Sequence, residues 1–298
     1  MNLQNSLLSP LTAHDHLATF WSTQEAWPCS PAALKLFQEI IWAYYQTHKR
    51  DFAWRQSTTP YHVTVSEIML QQTQTHRVAG KFEAFIEQFP DFKALAQAPT
   101  GDVIRLWKGL GYNRRALALQ KIAQIVTTTH SGSLPDDIAT LESFPSIGKA
   151  TARSIITYAF NRPTSFIETN VRTVFIYFFF QNKTMITDAM LEPLVAGTVD
   201  QVNPREWYYA LMDYGVMLKK TVGNLSRASA HHTKQSRFEG SDRQVRGMIL
   251  QALLDQPGIA PDALPTILAK EPARIEKIVA TLCKEGFVVS RNGLFFLP

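Results

Sequence analysis

The chain has 298 residues, 45% hydrophobic and 18% charged, with a formal net charge of +5. That balance excludes a disordered chain and allows a sizeable core spread over two or three folding units. Polar residues break every apolar run short of a membrane span, and Met1 to Ser22 lacks the basic start of a secretory signal. Cys29 and Cys283 are too few and too far apart for a disulfide framework or a cysteine-built metal site, which fits a reducing cytoplasm. The positive charge suits a polyanionic partner.

Residues 1–29, with Pro10 and Pro28, read as an arm without clear periodicity. Ser30 then offers a cap, Pro31 fits the first helical position, and Leu34, Phe37, Ile40, Ile41 and Tyr44 recur at helical spacing. His48-Lys49-Arg50-Asp51 closes that helix, and Phe52 to Arg55 and Ser57 to Tyr61 read as loop. Val65-Ser66-Glu67-Ile68-Met69-Leu70-Gln71-Gln72-Thr73-Gln74 reads as the start of the next helical region. Further helices are expected over Val78–Gln88, Phe92–Gln97, Asp102–Lys108, Arg114–Thr128, from Leu134-Pro135, and over Ala150–Ala159, Asn170–Phe180, Ala189–Thr198 and Pro204–Leu218. This makes residues 30–220 one all-α domain. Residues 221–242, rich in Ser, His, Lys, Arg and Gly, read as a basic linker. From 243 a small α+β module begins, with helices at Val245–Leu253, Ala263–Ala269 and Pro272–Glu285, then two strands about Asn292-Gly293. Three helices and a hairpin suggest a winged-helix-like unit.

Three segments carry chemistry. Glu67 sits among Ile, Met and Leu, where desolvation favours the protonated carboxyl, and a protonated carboxyl can donate to a leaving group. Gln71 and Gln72 beside it can hydrogen-bond base edges. The alternative is a partly buried carboxylate satisfied by a backbone N–H. Phe144-Pro145-Ser146-Ile147-Gly148-Lys149-Ala150 could form a tight turn between two helices whose backbone N–H groups face a phosphate, or an ordinary helix–helix turn. Glu168-Thr169-Asn170 places an acid at a helix start, either for electrostatic work or as an N-cap. The Phe178-Phe179-Phe180 run reads as core.

Together with Trp107-Lys108-Gly109-Leu110-Gly111-Tyr112, these segments resemble, in order and spacing, the helix-hairpin-helix DNA glycosylase superfamily over roughly residues 34–218. Within it the chain is most similar to the adenine DNA glycosylases. The resemblance implies a two-lobed helix-hairpin-helix fold and base excision repair. A monomer would act in the cytoplasm, at the nucleoid, on double-stranded DNA containing a mispaired or damaged base, without membrane or metal. It gives Glu67 the role of general acid toward adenine N7, Glu168 that of stabilising or trapping the cationic sugar, and Asn170 that of positioning these groups. Gln72 and Tyr112 would enter the base stack, with Gln71 beside them. Arg50, Phe52, Trp54 and Asp213 would line the adenine pocket. The hairpin, Ser146, Ile147, Gly148 and the adjoining Lys149, would meet a phosphate. Ala150 stands where lyase-competent relatives carry lysine, so a monofunctional enzyme leaving an abasic site is expected.

The chain departs from the family in four places. Glu168 replaces an aspartate, and Ser146 a glycine. Lys219, Ser226, Ser229 and Gln235 lie where four cysteines would hold an iron–sulfur cluster, so no cofactor is expected. Last, the C-terminal module is small. A same-fold glycosylase for another damaged base, or a non-catalytic DNA-binding protein, are the rival readings.

Overall fold

The computed structural model describes residues 30–180, 183–230 and 237–298. The arm read over residues 1–29, and His231, His232, Lys234 and Gln235 of the basic stretch, lie outside the described residues. In chain order the helices are α1 (Pro31–His48), α2 (Ala53–Gln56), α3 (Pro60–Leu70), α4 (Thr75–Gln88), α5 (Phe92–Gln97), α6 (Thr100–Trp107), α7 (Arg114–Thr129) and α8 (Ile138–Glu142). They continue as α9 (Lys149–Phe160), α10 (Thr169–Phe179), α11 (Asp188–Thr198), α12 (Pro204–Thr221), a 3-10 turn at Leu225–Ala228, α13 (Asp242–Asp255), α14 (Ala263–Leu268) and α15 (Pro272–Lys284). Strands β1 (Val289–Arg291) and β2 (Leu294–Phe296) close the chain.

The chain divides into two units. The first holds the described residues of Met1–Thr58, Asp136–Ile138 and Gly148–Lys234. The second holds Thr59–Pro135, Ala139–Ile147 and the described residues of Gln235–Pro298.

In the first unit α12 packs on α10 and α1. Phe37 of α1 is fully buried, its ring centroid 5.1 Å from those of Phe175, Phe178 and Phe179. The phenylalanine run is therefore core, and such ring clusters add edge-to-face attraction to their burial. The stretch read as a basic linker is partly built into this unit. Its 3-10 turn packs on α10, Ser226 and Ser229 are buried, and Ile186 N and O bond to Ala228 O and Ala230 N.

In the second unit the Glu67 string ends a helix rather than beginning one. Thr59 caps α3 by accepting from His62 N, Pro60 takes the first turn, and the helix stops at Leu70. This is the same cap-then-proline signal that starts α1, where Ser30 accepts from Ala33 N. Another departure is α2, a single turn that is too short to show periodicity and was read as loop. The helix expected from Leu134-Pro135 begins only at Ile138.

The C-terminal helices and strands share a core with this unit. Val245, Ile249, Leu253, Ile275 and Leu282 bury themselves with Ile104 of α6, and Leu117 of α7 packs against the cluster. Glu285 binds both Arg114 of α7 and Arg246 of α13. The β1–β2 hairpin turns at Asn292 and Gly293, whose φ of 52° and 75° are what a two-residue type I′ turn requires.

Candidate functional site

In the second unit Glu67 lies on the last turn of α3, partly exposed between the buried pairs Val65-Ser66 and Ile68-Met69. The chain then turns through Gln71 to Gln74 into α4. Gln72 sits at the apex, exposed, with a left-handed φ of 52°. Gln71 Nε2 donates to the carbonyl of Ser146 at 3.0 Å, tying this turn to the 144–148 hairpin. Ser146 is itself left-handed, with φ 62°, and exposed, while Ile147 is buried. Its conformation explains why glycine is usual at that place. Tyr112 is also left-handed, with φ 48°, and 39% exposed.

One side chain that sequence reasoning missed braces these segments. Arg115, on the first turn of α7, is 6% exposed. Its Nη1 donates to the carbonyls of Ile68, Met69 and Gln71 at 2.8, 3.0 and 2.5 Å. Its Nη2 donates to Thr73 Oγ1, Leu110 O and Gly111 O at 3.0, 3.3 and 3.0 Å. The guanidinium therefore caps the C-terminal end of α3, where a cation is favoured, and holds the Tyr112 loop to the glutamine turn. Its centre also lies 5.5 and 5.4 Å from the rings of Trp107 and Tyr112. Burial lowers its pKa to about 10, still far above neutrality. Arg243 of α13 reaches the Tyr112 hydroxyl at 3.5 Å, which brings the C-terminal helices to the edge of this loop.

In the first unit Glu168 caps α10. Its Oε1 accepts from Asn170 N at 2.7 Å and Val171 N at 3.1 Å. Desolvation raises its pKa, against the opposing pull of these two N–H groups and the charges of Lys219 and Arg172. Asn170 is enclosed by one face of α12: Lys219 Nζ donates to its Oδ1 at 2.8 Å, and its Nδ2 lies 3.7 Å from Met212 Sδ. Gly215 lies so close that a Cβ there would fall 2.7 Å from Asn170 O.

Arg50, Phe52, Trp54 and Asp213 also meet in this unit, joined by Arg55, which sequence reasoning overlooked. The Asp213 side chain is 1% exposed and accepts from Arg50 N and Nε and from both Nη atoms of Arg55, all between 2.6 and 2.9 Å. Burial works against the Arg55 charge, but the Asp213 carboxylate outweighs it and raises the guanidinium's pKa. Phe52 stacks on Trp54 with centroids 4.6 Å apart, while Arg50 and Arg55 lie over its ring at 5.1 and 5.3 Å. Here Asp213 fastens the 50–55 segment to α12. Gly148 and Lys149 open α9, with Gly148 as N-cap and both exposed.

The four-cysteine iron–sulfur site does not fit the residues present. Lys219 donates to Asn170, Ser226 Oγ donates to Asn224 Oδ1, and neither an ammonium nor hydroxyls replace the thiolates such a cluster needs. Among the described residues no three His, Cys, Asp or Glu side chains group as metal ligands.

Residues 65–196 match the HhH-GPD superfamily base excision DNA repair protein family. The chain is 31% identical over 189 residues to an adenine DNA glycosylase of Buchnera aphidicola subsp. Baizongia pistaciae, covering 62% of this chain and 53% of that one. It is 29% identical over 281 residues to an adenine DNA glycosylase of Mycolicibacterium smegmatis, covering 86% of this chain and 94% of the relative. The chain spans about half the length of several curated relatives that it matches. Among solved structures, a thermostable thymine-DNA glycosylase aligns with a TM-score of 0.56 and 25% identity, over 62% of this chain and 86% of its own.

Proposed function

On the premise that this chain carries an HhH-GPD domain, we propose that it is a monofunctional DNA glycosylase of base excision repair. Its substrate is an adenine mispaired with 8-oxoguanine or guanine, which it flips out and excises to leave an abasic site. The observation that carries this reading is the backbone of the second unit. Gln72, Tyr112 and Ser146, three residues that the family resemblance assigns to the DNA, all hold left-handed φ values. Non-glycine residues in that region cost about 1–3 kcal/mol each and persist where the surroundings over-determine them, typically at functional sites. Here Arg115 and Gln71 supply the over-determination.

Flipping a base out of the duplex costs a few kcal/mol, which a residue entering the vacated stack offsets. In this reading Tyr112 and Gln72 enter the gap, and the hairpin N–H groups and Lys149 hold a phosphate. Glu67 protonates the departing base. Glu168, whose carboxylate is fixed at the start of α10, stabilises the positive charge that develops on the sugar, a contribution that can reach several kcal/mol. Asn170 orients the Glu168 neighbourhood. Arg50, Phe52, Trp54 and Asp213 form the wall of the base pocket, with Asp213 acting through its hold on Arg50 and Arg55. The protein works as a monomer on DNA in the cytoplasm.

Single-turnover base release from a duplex panel tests the reading. The panel holds adenine opposite 8-oxoguanine and guanine, thymine opposite guanine, uracil, hypoxanthine and alkylated bases. Adenine release that Glu67→Gln abolishes without loss of DNA binding is expected, because binding rests mainly on phosphates. Release of thymine alone would transfer the specificity of the structural relative instead, and no release from any duplex would sink the enzyme reading.

A further inference from the structure

Asn170 is held from one side by a single helix face. Met212, Gly215 and Lys219 of α12 fall at i, i+3 and i+7 and so line up toward α10. Gly215 lets the backbones approach until no side chain fits between them. Met212 Sδ lies against the amide nitrogen, and Lys219 Nζ donates to the amide oxygen at 2.8 Å, so the two ends of the carboxamide are told apart. The same ammonium bears electrostatically on Glu168.

We propose that Lys219 is a positioning residue for this site: its ammonium locks the Asn170 carboxamide in one orientation and is the cation set against the Glu168 carboxylate. The inference deepens the glycosylase reading and rests on it for its catalytic consequence. The geometry behind the charge role is that Lys219 Nζ reaches the side chain of Asn170, two residues from Glu168 on the same helix start. Glu168 Oε1 is committed to two backbone N–H groups of α10. Among the described residues of the elements packed on α10, the other charges are paired or exposed, although Arg172 also acts on Glu168. Arg172, on Glu168's own helix, is bound by Asp188 of α11 through three hydrogen bonds. Asp213 of α12 is engaged by Arg50 and Arg55, while Glu192 of α11, Lys220 of α12 and Arg227 of the 3-10 turn are exposed. Desolvation raises the Glu168 pKa and lowers that of Lys219, and each group's charge opposes the shift of the other. Removing the lysine leaves desolvation of the acid less opposed.

Two measurements on the full chain decide this. The first needs no activity: the Glu168 carboxyl is titrated by carbon-13 NMR, assigned by difference from Glu168→Gln. In Lys219→Met its midpoint is expected to move to higher pH, and Lys219→Arg is expected to recover part of the change. An unchanged midpoint in Lys219→Met overturns the proposal. The second is single-turnover base release against pH. Lys219→Met is expected to slow release ten- to a hundred-fold near neutrality, to shift the acid limb upward, and to leave DNA affinity within about twofold. A uniform slowing at every pH, unrelieved in Lys219→Arg, would mark a merely structural role and overturn it. If the wild-type protein releases no base, the glycosylase reading fails while the titration still decides the Lys219–Glu168 coupling.

Discussion

Replacing Arg115 with methionine keeps an unbranched side chain of similar reach and removes the fork that joins Ile68, Met69, Gln71 and Thr73 to Leu110 and Gly111. Two of those acceptors, the carbonyls of Ile68 and Met69, are bonded out of contact with water, whereas Leu110 O also accepts from Thr73 Oγ1 at 3.3 Å. Each buried acceptor left unmet costs about 1–3 kcal/mol, so the direct loss is roughly 2–6 kcal/mol. Part returns, because the folded protein no longer holds a desolvated cation. Burial lowers its pKa to about 10, and at about 1.4 kcal/mol per unit that puts the return near 3 kcal/mol. The buried Nε, which lacks a hydrogen-bond partner, is part of the same cost. The net expectation is a loss of up to about 3 kcal/mol, or a fall in melting temperature of up to roughly 10 °C for a unit of this size. Arg115→Lys keeps the charge but cannot span both segments, so it should recover less than half. Urea and thermal unfolding measure the stability, and base release measures the loosened turn. Unchanged base release in Arg115→Met, with stability at or above that of the wild type, would refute the bracing argument.

Three further outcomes are expected. Asp213→Ala strands the 7%-exposed Arg55 side chain without its anion and should cost about 3–5 kcal/mol of stability in urea unfolding; near-wild-type stability would return Asp213 to a purely pocket-lining part. Ser146→Gly relieves a left-handed serine and should raise stability by up to about 1 kcal/mol, the strain released exceeding the extra chain entropy of glycine; a lower melting temperature contradicts it. Glu168→Gln should be at least as stable as wild type at neutral pH, because the raised pKa of Glu168 means that the folded state pays to ionise it. Below the ordinary carboxyl value of 4.5 both folded and unfolded wild type carry the neutral acid, and the advantage fades. As pH climbs through the higher folded-state value, the wild type loses that stability and the variant does not. Melting curves across the acid range check the trend.

Local chemistry made much of the fold legible. Ser30-Pro31, the Asn292-Gly293 turn and the phenylalanine run each declare their structure within a few residues. The error at Val65–Gln74 has a local cause as well: the apolar string outweighed the cap signal of Thr59-Pro60 just before it, so a helix end was taken for a helix start. The residues that brace the candidate residues within each unit declare nothing locally. Arg115 reads as one basic residue at a helix start, yet its partners lie as many as 47 positions away. Lys219 reads only as a residue standing in place of a cluster cysteine, yet its partner is 49 positions away. Asp213 likewise shows nothing of its bonds in the sequence, because two arginines separated from it by some 160 residues decide what a buried carboxylate does.

Arg115 and Lys219 also share a physical pattern. In each unit a cation is drawn out of water far enough for burial to lower its pKa, and it is spent on neutral oxygens rather than on a direct carboxylate pair. Stability alone argues against that arrangement, since apolar packing of similar volume would cost less than a desolvated charge. What a cation provides is direction. Arg115 fixes where two left-handed turns point, and Lys219 fixes which end of one carboxamide faces which neighbour. A reaction that depends on placing an acid, a wedge and a carboxylate to within a fraction of an ångström needs such direction, whereas simple phosphate binding does not. The placement of these two cations thus suits a site whose task is orientation, which is what the proposed glycosylase reading requires.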